Sequence, residues 1–341
     1  MTPALYSSDN RDDRPLILDM HCHTAGIGAG NSGCFASPKL LSSYKFKIYL
    51  KAFNVSHEDL QEHGDAQVIR RLSEALARSK LVSGAIVLAL DGVMDSAGTL
   101  DTARTEVYIP NEFVHRETSQ YGNLYFGASV NPLRRDALER LEACAGMGAR
   151  LIKWIPSIQH IDVSDIGLIP FYEKMKELGL PLLTHTGHER SFTGADDKLC
   201  DPALLELPLS LGVTVIAAHV ATTGKHEGMP NHERLFPLFA RYPNLFADIS
   251  SLTQINKKGY LPEILNHKDL YPRLLYGTDF PLINTLLVSP WYYPVRLPWK
   301  EIRRISKIEN PWDLDVELKR ALGVPEEVFT NMNKLFFPVS H

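Results

Sequence analysis

The feature that most constrains this chain is a period. From residue 124 onward, short apolar runs recur about every thirty residues, separated by amphipathic helical stretches, as a series of βα units requires. The runs read as strands at Leu124–Val130, Ala149–Ile155, Pro181–His185, Val213–His219, Leu245–Ile249 and Arg273–Thr278, preceded by Leu16–His21 and Gly84–Leu90. Helical patterns lie between them at Ala66–Lys80, Arg135–Met147, Ile169–Leu178, Pro202–Leu211, Glu233–Arg241 and Leu261–His267. Eight strands alternating with helices predict an α/β fold, a closed (β/α)8 TIM barrel spanning residues 1–341 as one domain. An open doubly wound sheet is the alternative. No Gly-x-Gly-x-x-Gly follows any strand, which weakens a dinucleotide site.

The second informative feature is where the polar groups fall. Strand 1 ends in His21-Cys22-His23, and alternation along a strand puts the two imidazoles on one face. Strand 4 carries Lys153, strand 5 ends at His185, strand 6 at His219, and strand 8 runs into Asp279. Burying such groups without partners is costly. In a closed barrel these strand ends converge on one mouth. Four histidines, a carboxylate and a lysine suit a borderline divalent ion, Zn²⁺ above others. The alternatives for single residues are ordinary ones. His21, His23 and His219 could be hydrogen-bonded core histidines, and Asp279 could cap a helix. His188 and Glu189 follow strand 5 and are candidates for the pocket wall. Arg104 and Arg190 are candidates for holding a substrate carboxylate. Cys34 lies in a Gly/Ser-rich loop near the histidine pair, as a pocket thiol or an inert loop residue.

Two connections are too long for plain loops. Thr24–Asp65 contains a helical pattern at Leu40–Phe53 with lysines on one side, expected to be a lid or packing helix rather than a membrane-surface helix. Asp91–Gln120 carries Asp95, Asp101, Arg104 and Glu106. Both follow strand C-termini, so both belong on the catalytic face. The tail from Pro281 to His341, rich in Pro, Trp and Tyr, reads as a cap, with aromatic surface suited to contact between copies of the chain.

Composition narrows the function classes. A formal net charge of -4 gives no footprint for nucleic acid. No apolar run reaches the roughly 18 residues that span a bilayer, and the first dozen residues lack the apolar core of a signal peptide. Four cysteines without CxxC spacing read as reduced thiols of a cytoplasmic protein. The expected partner is a small molecule, with no nucleic acid and no membrane.

The ordered set of strand ends resembles the amidohydrolase superfamily, and more closely its amidohydrolase-related branch. The resemblance runs from Leu18 to about Phe336 and extends to local strings: Ile152-Lys-Trp-Ile-Pro, Pro181-Leu-Leu-Thr-His-Thr-Gly, Leu275-Tyr-Gly-Thr-Asp-Phe-Pro and Asn331-Met-Asn-Lys-Leu-Phe. It implies that His21, His23, His185 and Asp279 bind metal. It implies that His219 binds a second ion or acts on substrate and water, and that Lys153, when carboxylated, bridges two ions. Asp279 would then move a proton, with His219 as the second catalytic group. The branch more often shows His-Pro soon after the strand 4 lysine; here the residues are Trp154-Ile155-Pro156. The implied activity is hydrolysis of an amide, ester or lactone through a metal-activated water, with non-oxidative decarboxylation of an unsaturated or aromatic acid as the alternative.

Overall fold

The structure, a computed structural model, describes residues 17–336 except 190 and 193. Eight parallel strands form its centre: β1 (Ile17–His23), β2 (Val82–Leu88), β3 (Leu124–Gly127), β4 (Ile152–Trp154), β5 (Leu182–Thr184), β6 (Val215–Ala217), β7 (Leu245–Asp248) and β8 (Leu274–Leu275). β1, β2 and β3 pair in order, as do β4 to β8. Two seams join these groups into a ring. Ala128 pairs in parallel with Ile152 between β3 and β4, where Lys153 N–H donates to Ala128 O at 2.7 Å. Cys22 pairs with Phe280 just beyond β8, where Asp279 N–H donates to His21 O and His23 N–H to Phe280 O, both at 2.9 Å. The circuit is that of a (β/α)8 barrel.

Strand alternation fills the barrel. Leu18, Met20, Ile86, Leu88, Leu151, Leu183, Ile216 and Leu275 come from six strands or their immediate ends, yet form one buried cluster, which is possible only inside the ring. Ile17, Ala85, Val87, Ile152, Leu182 and Val215 belong to the other core, between strands and helices. The last helix, Glu326–Phe336, closes the barrel at its N-terminal end. Met332 and Phe336 join the interior cluster, and Asn331 Nδ2 donates to the carbonyls of Tyr271 and Leu274 at the start of β8. The tail expected as a cap is thus divided: its last helix covers the end opposite the polar strand ends, whereas Pro281 and Leu282 line the cavity at the mouth.

Some element limits differ from the sequence reading. Pro202–Leu211 is a 3₁₀ turn, Pro202–Leu205, followed by a short helix, Glu206–Ser210; Pro202 opens the turn, and Pro208, in the first turn of the helix, restricts the residue before it. The segment expected at Leu261–His267 is helical only over Tyr260–Ile264. The long connection after β2 contains an unanticipated helix, Asn111–Thr118, which packs against β3 through buried Phe113 and Val114. Thr24–Asp65 holds three helices, Pro38–Leu41, Tyr44–Ala52 and His57–His63, each capped by the serine that precedes it, Ser37, Ser43 and Ser56. The two insertions are tied to each other by an antiparallel pair, Phe35–Ala36 with Val107–Tyr108. Among the described residues, no helix is long and apolar enough to cross a membrane.

Candidate metal centre

The geometry at the end of β1 depends on a bulge. Asp19 pairs with Ala85 and Cys22 with Val87, so β1 advances three residues while β2 advances two. Leu18 and Met20 point into the barrel, but Cys22 packs in the outer core. A one-residue slip exchanges the two faces of a strand, and bulges re-aim side chains beside active sites. The bulge is what turns His21 and His23 inward. Their neighbour across the second seam is Gly277, where a Cβ would lie 2.9 Å from the Cβ of His21; only glycine lets β8 approach this closely.

The imidazoles and carboxylate then converge. His21 Nε2 lies 3.2 Å from His23 Nε2, His23 Nε2 lies 3.2 Å from Asp279 Oδ1, and His21 Nε2 lies 3.7 Å from the same oxygen. Ligands at the usual Zn–N distance of about 2.0–2.1 Å on a tetrahedron are separated by about 3.3–3.4 Å. These edges therefore fit a single divalent ion. His185 Nε2 is buried and has no hydrogen-bond partner, though it lines the same cavity and its ring centroid is 5.2 Å from that of His219. A buried imidazole nitrogen that makes no hydrogen bond, in the same cavity as three converging ligand atoms, fits a metal-dependent site; the Glu189 carboxylate is 3.5 Å from it.

The protonation pattern follows from the partners. His21 Nδ1 lies 2.9 Å from Asp248 Oδ2; a carboxylate only accepts, so Nδ1 carries the hydrogen and the Nε2 lone pair faces the centre. Burial, reinforced by the charge of Lys153, lowers the His21 pKa to about 4, so the ring is neutral at pH 7. His219 Nδ1 contacts the Ser250 carbonyl at 3.2 Å and Ser250 Oγ at 2.7 Å, which likewise puts the hydrogen on Nδ1 and leaves Nε2 as an acceptor. That nitrogen is 3.9 Å from Asp279 Oδ2. His219 is thus arranged to accept a proton or a metal, and not to donate a hydrogen bond from Nε2 to a carbonyl. Burial pushes the Asp279 carboxyl up, but His219, the hydrogen bond with His23 and the nearby His21 together hold it well below the usual carboxylate range. The Asp279 side chain caps no helix: the 3₁₀ turn that follows, Leu282–Asn284, has no side-chain cap. Lys153 Nζ sits 3.1 Å from His21 Nε2, and burial lowers its pKa to about 8.

Asp248 escaped the sequence reading, although it too is a carboxylate ending an apolar strand. Fully buried, it takes the Nδ1–H of His21, the backbone N–H of His219 at 3.0 Å, the N–H of Ser250 at 3.0 Å and the hydroxyl of Ser250. Burial alone would raise its pKa, but His21 and the other donors hold it far below the ordinary value. It joins His21 and His219 in one structural unit. The cluster His21, His219 and Asp248 could also hold an ion, but the 2.9 Å hydrogen bond between two of its members already occupies that space.

Other candidates separate. His188 and Glu189 both line the cavity; Glu189 Oε2 lies 3.5 Å from His185 Nε2, and His188 Nδ1 lies 3.7 Å from Asp197 Oδ2. Arg104 is exposed and does not border the cavity. Arg190 lies outside the described residues. Cys34 is buried away from the cavity; burial raises its thiol to about 12, which makes it inert. The cavity, about 190 Å³, is walled above the metal site by Leu40, Phe46, Tyr49 and Phe53 of the first insertion and by Val107 and Ile109 of the second. Both insertions thus lie over the mouth of the barrel.

A family model described as "Amidohydrolase" matches residues 19–322. The chain belongs to that family. Amidohydrolase-family members are divalent-metal-dependent enzymes, in keeping with the clustered histidines and aspartate. Among solved structures, an uncharacterised TIM-barrel protein from Bordetella bronchiseptica is similar with a TM-score of 0.54 and 16% identity, covering 89% of this chain and 99% of that one. A proposed 2-pyrone-4,6-dicarboxylic acid hydrolase from Pseudomonas putida is similar with a TM-score of 0.54 and 16% identity, covering 96% and 100%. At that identity the likeness establishes the TIM-barrel fold. No curated protein matches the chain in sequence.

Proposed function

We propose that this amidohydrolase hydrolyses an amide, ester or lactone bond of a small molecule, with Zn²⁺ held by His21, His23, His185 and Asp279. The observation that carries the reading is the convergence of the His21, His23 and Asp279 ligand atoms at 3.2–3.7 Å beside the unpartnered Nε2 of His185. A bound divalent ion supplies Lewis acidity and lowers the pKa of water from about 15.7 toward 7. Asp279, ionised at neutral pH, accepts the proton of an attacking water. His219, with its Nε2 lone pair toward Asp279, is placed to take that proton onward or to ligate a second ion. Lys153, beside His21 Nε2, is placed to join the ligand set. Asp248 fixes the tautomer of His21 and the backbone of His219.

Non-oxidative decarboxylation of an unsaturated or aromatic acid is the alternative reading of the same residues. The test is metal analysis of the purified protein followed by turnover of an aryl ester and lactone panel, with CO₂ release from aromatic acids measured in parallel. Stoichiometric metal with hydrolysis and no CO₂ is expected. CO₂ release without hydrolysis would replace this reading by the decarboxylase one.

A further inference from the structure

The cavity has two unlike walls. Loops after β1 and β2 supply the apolar side, with Phe46, Tyr49, Phe53 and Ile109. The loop after β7 supplies a polar part of the lining, Gln254, Asn256 and Lys257. The loop's geometry is fixed by its backbone: Gln254 N–H donates to Ser251 O at 3.1 Å, and Lys257 N–H donates to Gln254 O at 2.9 Å. Gln254, itself extended, leads into the 3₁₀ turn Ile255–Lys257, and both Gln254 and Lys257 line the cavity.

Two observations mark this face as built for a ligand. The side-chain nitrogen of Gln254 is buried and has no hydrogen-bond partner, in a residue only 3% exposed that borders the cavity. A buried donor left without an acceptor is costly unless something fills it. Lys257 borders the same cavity, its ammonium donating to Ser251 Oγ at 2.7 Å. An amide N–H and an ammonium bordering one cavity are donors matched to an oxyanion.

We propose that Gln254 and Lys257 form an anion subsite that reads a carboxylate on the substrate, whose apolar or aromatic body lies against Phe46, Tyr49 and Phe53. The substrate class is then a small aryl- or alkyl-bearing carboxylic acid whose hydrolysable bond reaches the metal centre. The assignment rests on the hydrolase reading for the identity of that bond. The carboxylate recognition is tested by binding alone, so each can fail separately.

The experiment compares 3-phenylpropionate with its neutral isostere 3-phenylpropanamide by calorimetric titration of the full chain, both zinc-loaded and chelator-treated. Wild-type protein binds the carboxylate more tightly than the amide in both forms. Lys257→Met lowers carboxylate affinity by about 10- to 100-fold, the range for a hydrogen bond to a charged group, and leaves the amide within about twofold. Lys257→Arg keeps the preference, which separates loss of charge from loss of fold, and circular dichroism checks that both variants are folded. The proposal is overturned if wild-type protein shows no preference, if Lys257→Met weakens both probes equally, or if the preference disappears when the ion is removed. In the last case the carboxylate binds the metal and not the subsite. Turnover of esters and lactones, measured separately, judges the hydrolase reading.

Discussion

Asp248→Asn isolates the one buried carboxylate that touches both His21 and His219 without belonging to the converging ligand set. The substitution is nearly isosteric, but an amide offers one acceptor and one donor where the carboxylate offers two acceptors. If the amide oxygen faces His21 Nδ1–H, the NH₂ group faces the backbone N–H of His219 and Ser250, and two donors confront donors across contacts of 3.0 Å. If the amide flips, its NH₂ faces His21 Nδ1, now 2.9 Å away, and forces the hydrogen onto Nε2, the atom that faces the metal. Either arrangement damages the site. Outer partners of metal-bound histidines are typically worth about 10- to 100-fold in metal affinity, or about 1.4–2.7 kcal/mol. Unsatisfied buried donors should also lower stability by about 1–3 kcal/mol. The assay is zinc affinity by chelator competition, denaturant unfolding of the metal-free protein, and imidazole ¹⁵N shifts that report the His21 tautomer. Wild-type zinc affinity together with an unchanged tautomer would refute the argument, because it would mean that Asp248 orients nothing.

Three further outcomes are expected. His21→Ala and His23→Ala should each lose bound metal while circular dichroism remains that of the folded barrel; full metal content in both variants would remove them from the ligand set. Asp279→Asn should retain much of its metal, since an amide oxygen still coordinates, yet lose about 10²–10⁴ in turnover; near-normal kcat with metal bound would move the base role to His219. The metal-free protein should lose stability as pH falls from 6.5 toward 4, because His21, at about 4 when folded and 6.5 when exposed in the unfolded chain, must bind its proton mainly on unfolding. The shift corresponds to on the order of 3 kcal/mol, fully present above pH 6.5. A thermal melting series that is flat across that window would contradict the neutral, buried state of His21.

The sequence by itself determined the number and order of strands, because an apolar run repeated about every thirty residues can bury both faces only in a sheet covered by helices. It also determined the chemistry of the mouth: His21, His23, Lys153, His185, His219 and Asp279 are polar groups ending apolar strands, and all of them line one cavity. What it could not determine was which face of β1 carries the histidines. Alternation pairs His21 with His23, but the inward direction was set by a bulge between Asp19 and Cys22, a product of pairing with β2. The Asn111–Thr118 helix was hidden for a similar reason, since its few apolar positions form a recognisable face only against β3. Lys257 and Gln254 read locally as a solvated loop, and no spacing linked them to residues far away in the chain. Closure of the barrel brings the loop after β7 to the same cavity as the insertions after β1 and β2. Local patterns are fixed by nearest neighbours, whereas a site assembled from strand ends is fixed by ring closure, a long-range condition that no short stretch of sequence encodes.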